Sequence, residues 1–169
     1  GEFYSSTLSV FVDKYLLIIS FRYSTKSDPS LEKVGIVTTG GKAESGENSL
    51  ECAIRECIEE HGLKIDPSWI FHSEIHKSKS VDKLNKSKVY IHYFAHISTS
   101  QIILNEPSTC DEIIPLIAYD PNKYYTWSEI KFLNVKGIYM VPAIEVINLL
   151  VNDQVSCMRF VRNALHRAF

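Results

Sequence analysis

The sequence predicts a single domain of the α/β class, and three observations support this. The first third of the chain is rich in β-branched and aromatic residues and predicts strands at 8–13, 15–21 and 34–38. A helical period at 48–62 is followed by alternating runs at 69–76 and 88–97, which predict two paired strands. Two apolar periodic segments, 141–151 and 155–169, predict C-terminal helices. Helices and strands mixed within 169 residues indicate one α/β core.

The composition is that of a globular protein with no extreme charge. Hydrophobic residues make up 45% of the chain and charged residues 22%, which is enough apolar surface to fold without disulfides or a structural metal. The formal net charge of -2 provides no global positive field for long nucleic acids. Any site for a polyanion must therefore be local.

Cysteine spacing and hydropathy indicate a cytoplasmic protein without a membrane partner. The four cysteines form no C-x-x-C pair and no zinc-ligand pattern, and the longest apolar run, 15–21, is too short to cross a bilayer. The chain opens with Gly1, Glu2 and Phe3 rather than methionine, and we expect these residues to come from a cloning vector. A single domain is therefore expected over residues 4–169, while no feature predicts the oligomeric state.

The helix at 48–62 has the clearest signals in the chain. Asn48 is a candidate N-cap with Glu51 three residues later, and Gly62 ends the helical period. Three acidic side chains, Glu56, Glu59 and Glu60, occur at positions i, i+3 and i+4 and share one face. Like charges this close repel each other by about 0.2–0.5 kcal/mol per pair unless a cation lies between them. A solvated acidic face is the common alternative to a site for a hard divalent cation.

The residues before and within this helix favour the cation. Residues 41–63 read GKAESGENSLECAIRECIEEHGL. This segment resembles the Nudix box, a glycine, five residues, Glu, seven residues, and then Arg-Glu-apolar-x-Glu-Glu-x-Gly-apolar. The nine matching positions are Gly41, Glu47, Arg55, Glu56, Cys57, Glu59, Glu60, Gly62 and Leu63. So many fixed positions make the motif specific. A weaker resemblance continues outside the box, where 127–130 is similar to a later strand of the family.

The resemblance implies a Nudix-type α/β/α sandwich with a mixed sheet, in which a loop-helix-loop motif binds a pyrophosphate through Mg²⁺, or through Mn²⁺. Glu59 and Glu60 are implied to be the principal metal ligands, assisted by Glu56 and by the carbonyl of Gly40. Arg55 is implied to orient neighbouring carboxylates. Hard divalent cations prefer such oxygen ligands and neutralise the charge that shields linked phosphates from water.

The general base is not fixed by the box. In the Nudix family it is a box residue or an acidic residue from another loop, so Asp111 and Glu112 in the polar loop 105–112 are candidates. Solvation of the loop is the alternative role for both. If neither acts as the base, Glu56 is the remaining candidate.

The expected reaction is hydrolysis of a phosphoanhydride bond in a nucleoside diphosphate linked to another group. Hydrolysis of RNA 5′ ends or caps is an alternative, and a catalytically silent nucleotide-binding module is another, although the three retained glutamates favour an enzyme. Lys42, Lys79 and Lys83 are candidate substrate-binding residues. The last two belong to a lysine-rich segment, 77–88, for which a solvated hairpin tip is the simpler interpretation.

Histidines and aromatic residues alternate on the two predicted strands at 69–76 and 88–97. Base stacking on this face is one interpretation, but a second packed side of the sheet is the more common arrangement. The residues concerned are His72, His76, His92, His96, Tyr90 and Phe94.

Overall fold

A computed structural model describes residues 3–13, 16–23, 34–81, 87–102, 123–133, 137–150 and 160–168. In these residues seven strands form one mixed sheet, accompanied by four α-helices. The strands are β1 (Ser5–Val12), β2 (Leu16–Tyr23), β3 (Val34–Val37), β4 (Thr39–Lys42), β5 (Ile70–Val81), β6 (Ser87–Ile97) and β7 (Gly137–Pro142). The helices are α1 (Ser49–His61), α2 (Trp127–Leu133), α3 (Ala143–Leu150) and α4 (Val161–Ala168).

Strand β1 lies at the centre of the sheet. Along its whole length it pairs in parallel with β6, which is antiparallel to β5. On its other side the first half of β1 pairs with β4, and its end pairs with β2. Strand β2 in turn pairs with β3 and β7. The short strand β4 is thereby held beside the start of β1, next to the beginning of α1.

Helices cover both faces of the sheet. Because side chains alternate along a strand, Leu8, Val10 and Val12 of β1 point to one face, where they share a core with Ala53 and Cys57 of α1. The other face has its own core, which joins β1, β2, β6 and β7 to α2, α3 and α4: Phe11, Leu17, Ile19, Phe94, Ile130, Tyr139, Val141, Ala143, Val146, Ile147, Val161 and Ala164. This arrangement confirms the predicted α/β/α sandwich with a mixed sheet.

Helix α1 begins and ends where its sequence signals predict. The side chain of Asn48 accepts a hydrogen bond from the backbone N–H of Glu51 at 2.8 Å. At the other end Gly62 has a φ of 67°, a left-handed conformation that suits glycine, and its N–H donates to the Ile58 carbonyl at 2.9 Å. The helix therefore has defined ends that fix the positions of the acidic side chains between them.

The predicted strand at 127–130 is wrong, because this segment is the start of α2. The hydroxyl of Thr126 accepts a hydrogen bond from the backbone N–H of Glu129 at 3.2 Å and donates to its carboxylate at 3.1 Å. Threonine followed three residues later by glutamate is a known signature of a helix start. This local signal outweighs the likeness to a strand.

The predicted helix at 141–151 begins later, at Ala143, because the residues before it form β7. Residues 137–141 are all buried, and Val141 pairs with Leu17 of β2. A strand buried on both faces has a continuous apolar run that periodicity cannot distinguish from a buried helix. Pro142 ends the strand, and α3 follows directly.

Other predicted elements are partly described. The strand pair at 69–76 and 88–97 is present as β5 and β6, both longer than predicted. The final helix is described from Val161 rather than from 155, since 151–159 lie outside the described residues. Short apolar runs in the sequence also predict strands at 102–104 and 113–118. The second of these lies outside the described residues, as does most of the first. Among the described helices, none has the length and apolar character needed to span a membrane.

Candidate active site

Two glycines of β4 allow the strand to approach β1 and α1 closely. A Cβ on Gly40 would lie 2.7 Å from Cγ2 of Thr7, and one on Gly41 would lie 2.3 Å from Oε1 of Glu56. At Gly40 the backbone carbonyl of Ser6, 2.8 Å away, also blocks a side chain, so only glycine fits there, whereas a side chain at position 41 would displace the Glu56 carboxylate. The carbonyl of Gly41 also accepts a contact from the thiol of Cys52 at 3.4 Å. The carboxylate of Glu56 is consequently held against the backbone of β4.

Arg55 joins the loop before α1 to the acidic face of the helix. Its Nε and Nη2 atoms donate to the two carboxylate oxygens of Glu47 at 2.7 and 3.0 Å, a bidentate pair. Its Nη1 atom lies 3.1 Å from Glu56 Oε1 and 2.9 Å from Glu59 Oε2. Nη2 also donates to the carbonyl of Lys42 at 3.1 Å. One guanidinium therefore fixes the loop, the end of β4 and two helix carboxylates relative to one another.

The pKa values of two carboxylates in this cluster move in opposite directions. The hydrogen bonds from Arg55 lower the pKa of Glu47 to about 2. Burial raises the pKa of Glu56 above its ordinary value, and the neighbouring charge of Glu59 contributes to the same direction. Glu47 is thus held firmly ionised, whereas Glu56 is a carboxylate whose ionised form is costly in this setting.

The depressed pKa of Glu47 predicts how stability depends on pH. A carboxyl group whose pKa falls on folding adds stability above its unfolded pKa, here 4.5, and loses it as the pH falls toward about 2. We expect Glu47→Gln to lower the free energy of unfolding by about 2–3 kcal/mol at pH 7, an upper range for a side chain that touches solvent. Urea titrations of both proteins between pH 7 and pH 2.5 would measure this. A difference that stays constant across this range would contradict the assignment.

Further contacts fix the start and end of α1 on the sheet. The backbone N–H of Gly40 donates to Oε1 of Glu60 at 2.9 Å, which ties the last acidic residue of the face to β4. At the start of the helix the hydroxyl of Ser6 donates to the carbonyl of Ser49 at 2.8 Å. The Ser49 hydroxyl lies 2.5 Å from the hydroxyl of Tyr93 on β6. Helix α1 is therefore attached to three strands, β1, β4 and β6.

The donor chemistry of this face fits a hard divalent cation. Arg55 brings a single positive charge to four carboxylates, those of Glu44, Glu47, Glu56 and Glu59, so the cluster has an excess of negative charge. Carboxylate oxygens are the ligands that Mg²⁺ and Mn²⁺ prefer. Within the residues that the structure describes, no three His, Cys, Asp or Glu side chains are arranged closely enough to hold a metal ion. The carboxylates contact Arg55 and the Gly40 N–H instead.

The structure describes only some of the other candidate substrate-binding and catalytic residues. Lys42 is exposed at the end of β4, next to the loop before α1. Lys79 belongs to β5, but its side chain is outside the described part of the structure, and Lys83, Asp111 and Glu112 lie outside it entirely. Their roles stay predictions.

The histidine-rich face of β5 and β6 is a packed side of the sheet. The ring of Phe160, just before α4, lies 5.1 Å from that of His92 and 6.4 Å from that of His76. His92 is buried, and its Nδ1 atom lies 2.7 Å from the hydroxyl of Thr7. Packing, the simpler of the two interpretations, is confirmed for these residues.

An open cavity of about 830 Å³ lies between the start of β1 and the loop before α1. Its walls include Tyr4, Lys42, Glu44, Glu47, Ser49 and Ile91. Sequence reasoning identifies Lys42 but not Tyr4 or Ile91, because only the strand register brings them beside the loop. The cavity is adjacent to the carboxylate cluster, since Glu47 belongs to both.

Comparison with known proteins identifies the class. The profile of the NUDIX domain family matches residues 9–133, more than half of the chain. The chain therefore belongs to the Nudix family, and the prediction of a Nudix hydrolase is confirmed at the level of that family. No curated protein matches the sequence.

Solved structures share the fold. MERS1 from T. brucei in complex with RNA matches with a TM-score of 0.61 and 14% identity over 92% of this chain and 56% of that chain. Its GDP complex matches with a TM-score of 0.61 and 15% identity over 92% and 54%. A NUDIX hydrolase from Nitrosomonas europaea matches with a TM-score of 0.52 and 8% identity over 96% and 85%. This chain thus spans little more than half the length of the MERS1 chains, and identities this low show the fold alone.

Proposed function

We propose that this protein is a pyrophosphohydrolase that cleaves a phosphoanhydride bond in a nucleoside diphosphate linked to another group. The observation that supports it best is that the carboxylates of Glu56 and Glu60 lie against the glycines of β4, while Arg55 contacts both Glu56 and Glu59. The adjacent cavity of about 830 Å³ is within the usual size range for a small-molecule site. A cytoplasmic location stays a prediction.

In this proposal Glu59 and Glu60 are the principal ligands of Mg²⁺ or Mn²⁺, with Glu56 and the carbonyl of Gly40 as further contacts. When bound, such an ion neutralises charge on two linked phosphates and polarises the bond to be cleaved. The residues of the chain do the positioning. Arg55 orients Glu56 and Glu59 through its Nη1 atom, and the close approach of β4 keeps the carboxylate of Glu56 in place.

A substrate panel tests the proposed function. Nucleoside diphosphate sugars, dinucleoside polyphosphates, modified nucleotides and capped RNA would each be incubated with Mg²⁺, with Mn²⁺ and with EDTA. We expect metal-dependent release of a nucleoside monophosphate from at least one small nucleotide. Binding of nucleotides without hydrolysis of any would instead support the silent binding module and contradict the proposal.

The general base is proposed to be Glu112 or, failing it, Asp111. A base that removes a proton from the attacking water acts mainly in the transition state. Glu112→Gln, or Asp111→Asn, should therefore lower kcat by about 10²-fold with little change in KM. Steady-state kinetics on the substrate that the panel identifies would measure both constants. If neither variant is slow while Glu56→Gln is, the base is Glu56.

RNA 5′ ends are the second candidate substrate. Lys77, exposed within β5, and Lys88, near the start of β6, favour it, and the similar MERS1 structure contains RNA. If RNA is the substrate, changing Lys79, Lys83 and Lys86 to Ser should weaken RNA binding and flatten its salt dependence. Hydrolysis of a small nucleotide should not change. Equal RNA affinity of the wild type and the triple variant in filter-binding titrations would contradict an RNA-binding role for the lysine-rich segment 77–88.

A further inference from the structure

Three neighbouring strands bring two lysines to one tyrosine beside the cavity. The Nζ atom of Lys42 lies 5.0 Å from the centre of the Tyr4 ring, and that of Lys88 lies 4.6 Å from it. The backbone N–H of Tyr4 donates to the carbonyl of Val89 at 2.7 Å, which anchors this residue beside β6. The register of β4 on β1 pairs Lys42 with Ser5, the next residue. The cluster is therefore built by the sheet rather than by one flexible segment.

The electrostatics of this cluster favour an anion. Each ammonium group is attracted to the tyrosine ring, so two positive charges are gathered around one side chain. Lys42 also lowers the pKa of the Tyr4 hydroxyl, which indicates positive potential at the ring. An anionic group bound at this cluster would be attracted by both lysines.

The cluster lies next to the candidate catalytic face. The carbonyl of Lys42 accepts a hydrogen bond from Arg55, the residue that contacts Glu56 and Glu59. Tyr4 and Lys42 both line the cavity, together with Glu47, whose charge is compensated by its bidentate pair with Arg55. The acidic residue Glu44 also lines the cavity. Its side chain is 68% exposed, and its carboxylate lies 3.5 Å from the Arg55 guanidinium.

We propose that Lys42 and Lys88, arranged around the Tyr4 ring, form a subsite for a phosphate group of the substrate that is not the group held by the carboxylate face. Lysine binds phosphate as a compact point charge, and an aromatic ring beside it offers a surface on which an attached base or sugar can pack. The subsite would select substrates that carry a further phosphate beside Tyr4, in addition to the group held at the carboxylate face. This inference rests on the proposed function for its substrate class, but not for its binding chemistry.

Binding of tripolyphosphate in EDTA tests the subsite separately from catalysis. Without metal, the acidic face does not attract a polyphosphate, so the lysines should dominate binding. We expect the Lys42→Ala/Lys88→Ala double variant to bind tripolyphosphate roughly 10-fold more weakly than wild type by isothermal titration, and the Lys42→Arg/Lys88→Arg variant to retain binding. Lys123→Ala is a matched control, because Lys123 lies 4.7 Å from the ring of Tyr125 in a lysine–tyrosine pair that is not part of this cavity.

A second measurement uses the nucleotide that the substrate panel identifies. The alanine double variant should raise KM roughly 10-fold with kcat nearly unchanged, since the contact is made equally in the ground and transition states. Failure of wild type to bind tripolyphosphate, or equal binding by the alanine double variant, would overturn the subsite. Lysine-dependent binding without hydrolysis of any panel substrate would overturn the proposed function and support the subsite.

Discussion

Glu59→Gln and Glu60→Gln are each expected to lower metal-dependent turnover by about 10³-fold, since the charge stabilisation that a bound divalent ion supplies is worth several kcal/mol. Glutamine keeps the size of the side chain and one acceptor oxygen but removes the negative charge that is proposed to bind the ion. Initial rates across a Mg²⁺ titration would measure the effect. If both variants keep near wild-type rates at low Mg²⁺, the assignment of these residues as metal ligands is wrong.

Stability measurements separate this effect from a folding defect. Glu59 is 42% exposed and contributes one contact to Arg55, and the amide oxygen introduced by Glu60→Gln could still accept from the Gly40 N–H. We therefore expect melting temperatures close to wild type. Glu51→Gln is the matched control, because Glu51 is an exposed carboxylate in the first turn of the same helix, and its neutralisation should leave turnover unchanged. A comparable loss in Glu51→Gln would indicate a nonspecific charge effect.

The sequence predicts α1 and its acidic face well because their signals are local. Asn48, Gly62 and the spacing of Glu56, Glu59 and Glu60 all act within a few residues of each other in the chain. The position of β4 is not predicted, because adjacent glycines usually indicate a backbone conformation closed to other residues. In the structure the two glycines at 40 and 41 lie in a strand instead, where the backbone of β1 leaves no room for a side chain at 40 and the Glu56 carboxylate lies against 41.

Features that depend on long-range pairing cannot be predicted in the same way. Strand β7 is buried on both faces, so its apolar run carries no strand period and merges with the helix that follows. The cluster of Tyr4, Lys42 and Lys88 combines residues far apart in sequence, and only the register of three strands brings them together. By contrast, the start of α2 has a local signal, Thr126 followed three residues later by Glu129, which the sequence alone contains.

Arg55→Ala is expected to destabilise the fold and slow the reaction together. It leaves Glu47 and Glu56, which are only 12% and 16% exposed, without the guanidinium that compensates their charge. Breaking such a pair costs about 3–5 kcal/mol when fully buried, so we expect about 2–4 kcal/mol for this partly exposed cluster. Turnover should also fall by about 10–100-fold, because Glu56 and Glu59, two of the proposed metal ligands, lose the partner that orients them. Urea unfolding and steady-state kinetics would measure the two effects.

Further variants determine whether the geometry of the guanidinium or its charge matters. Arg55→Lys keeps the charge but cannot form the bidentate pair with Glu47, so it should recover only part of the stability and turnover. Arg162→Ala, an exposed arginine on α4, is the control and should change neither. In a double-mutant cycle Glu47→Gln should cost less in the Arg55→Ala background than in wild type, because its partner is already absent. Additive costs for the two substitutions would mean that the Glu47–Arg55 pair does not hold the loop to the helix, and the role of Arg55 in positioning the acidic face would have to be abandoned.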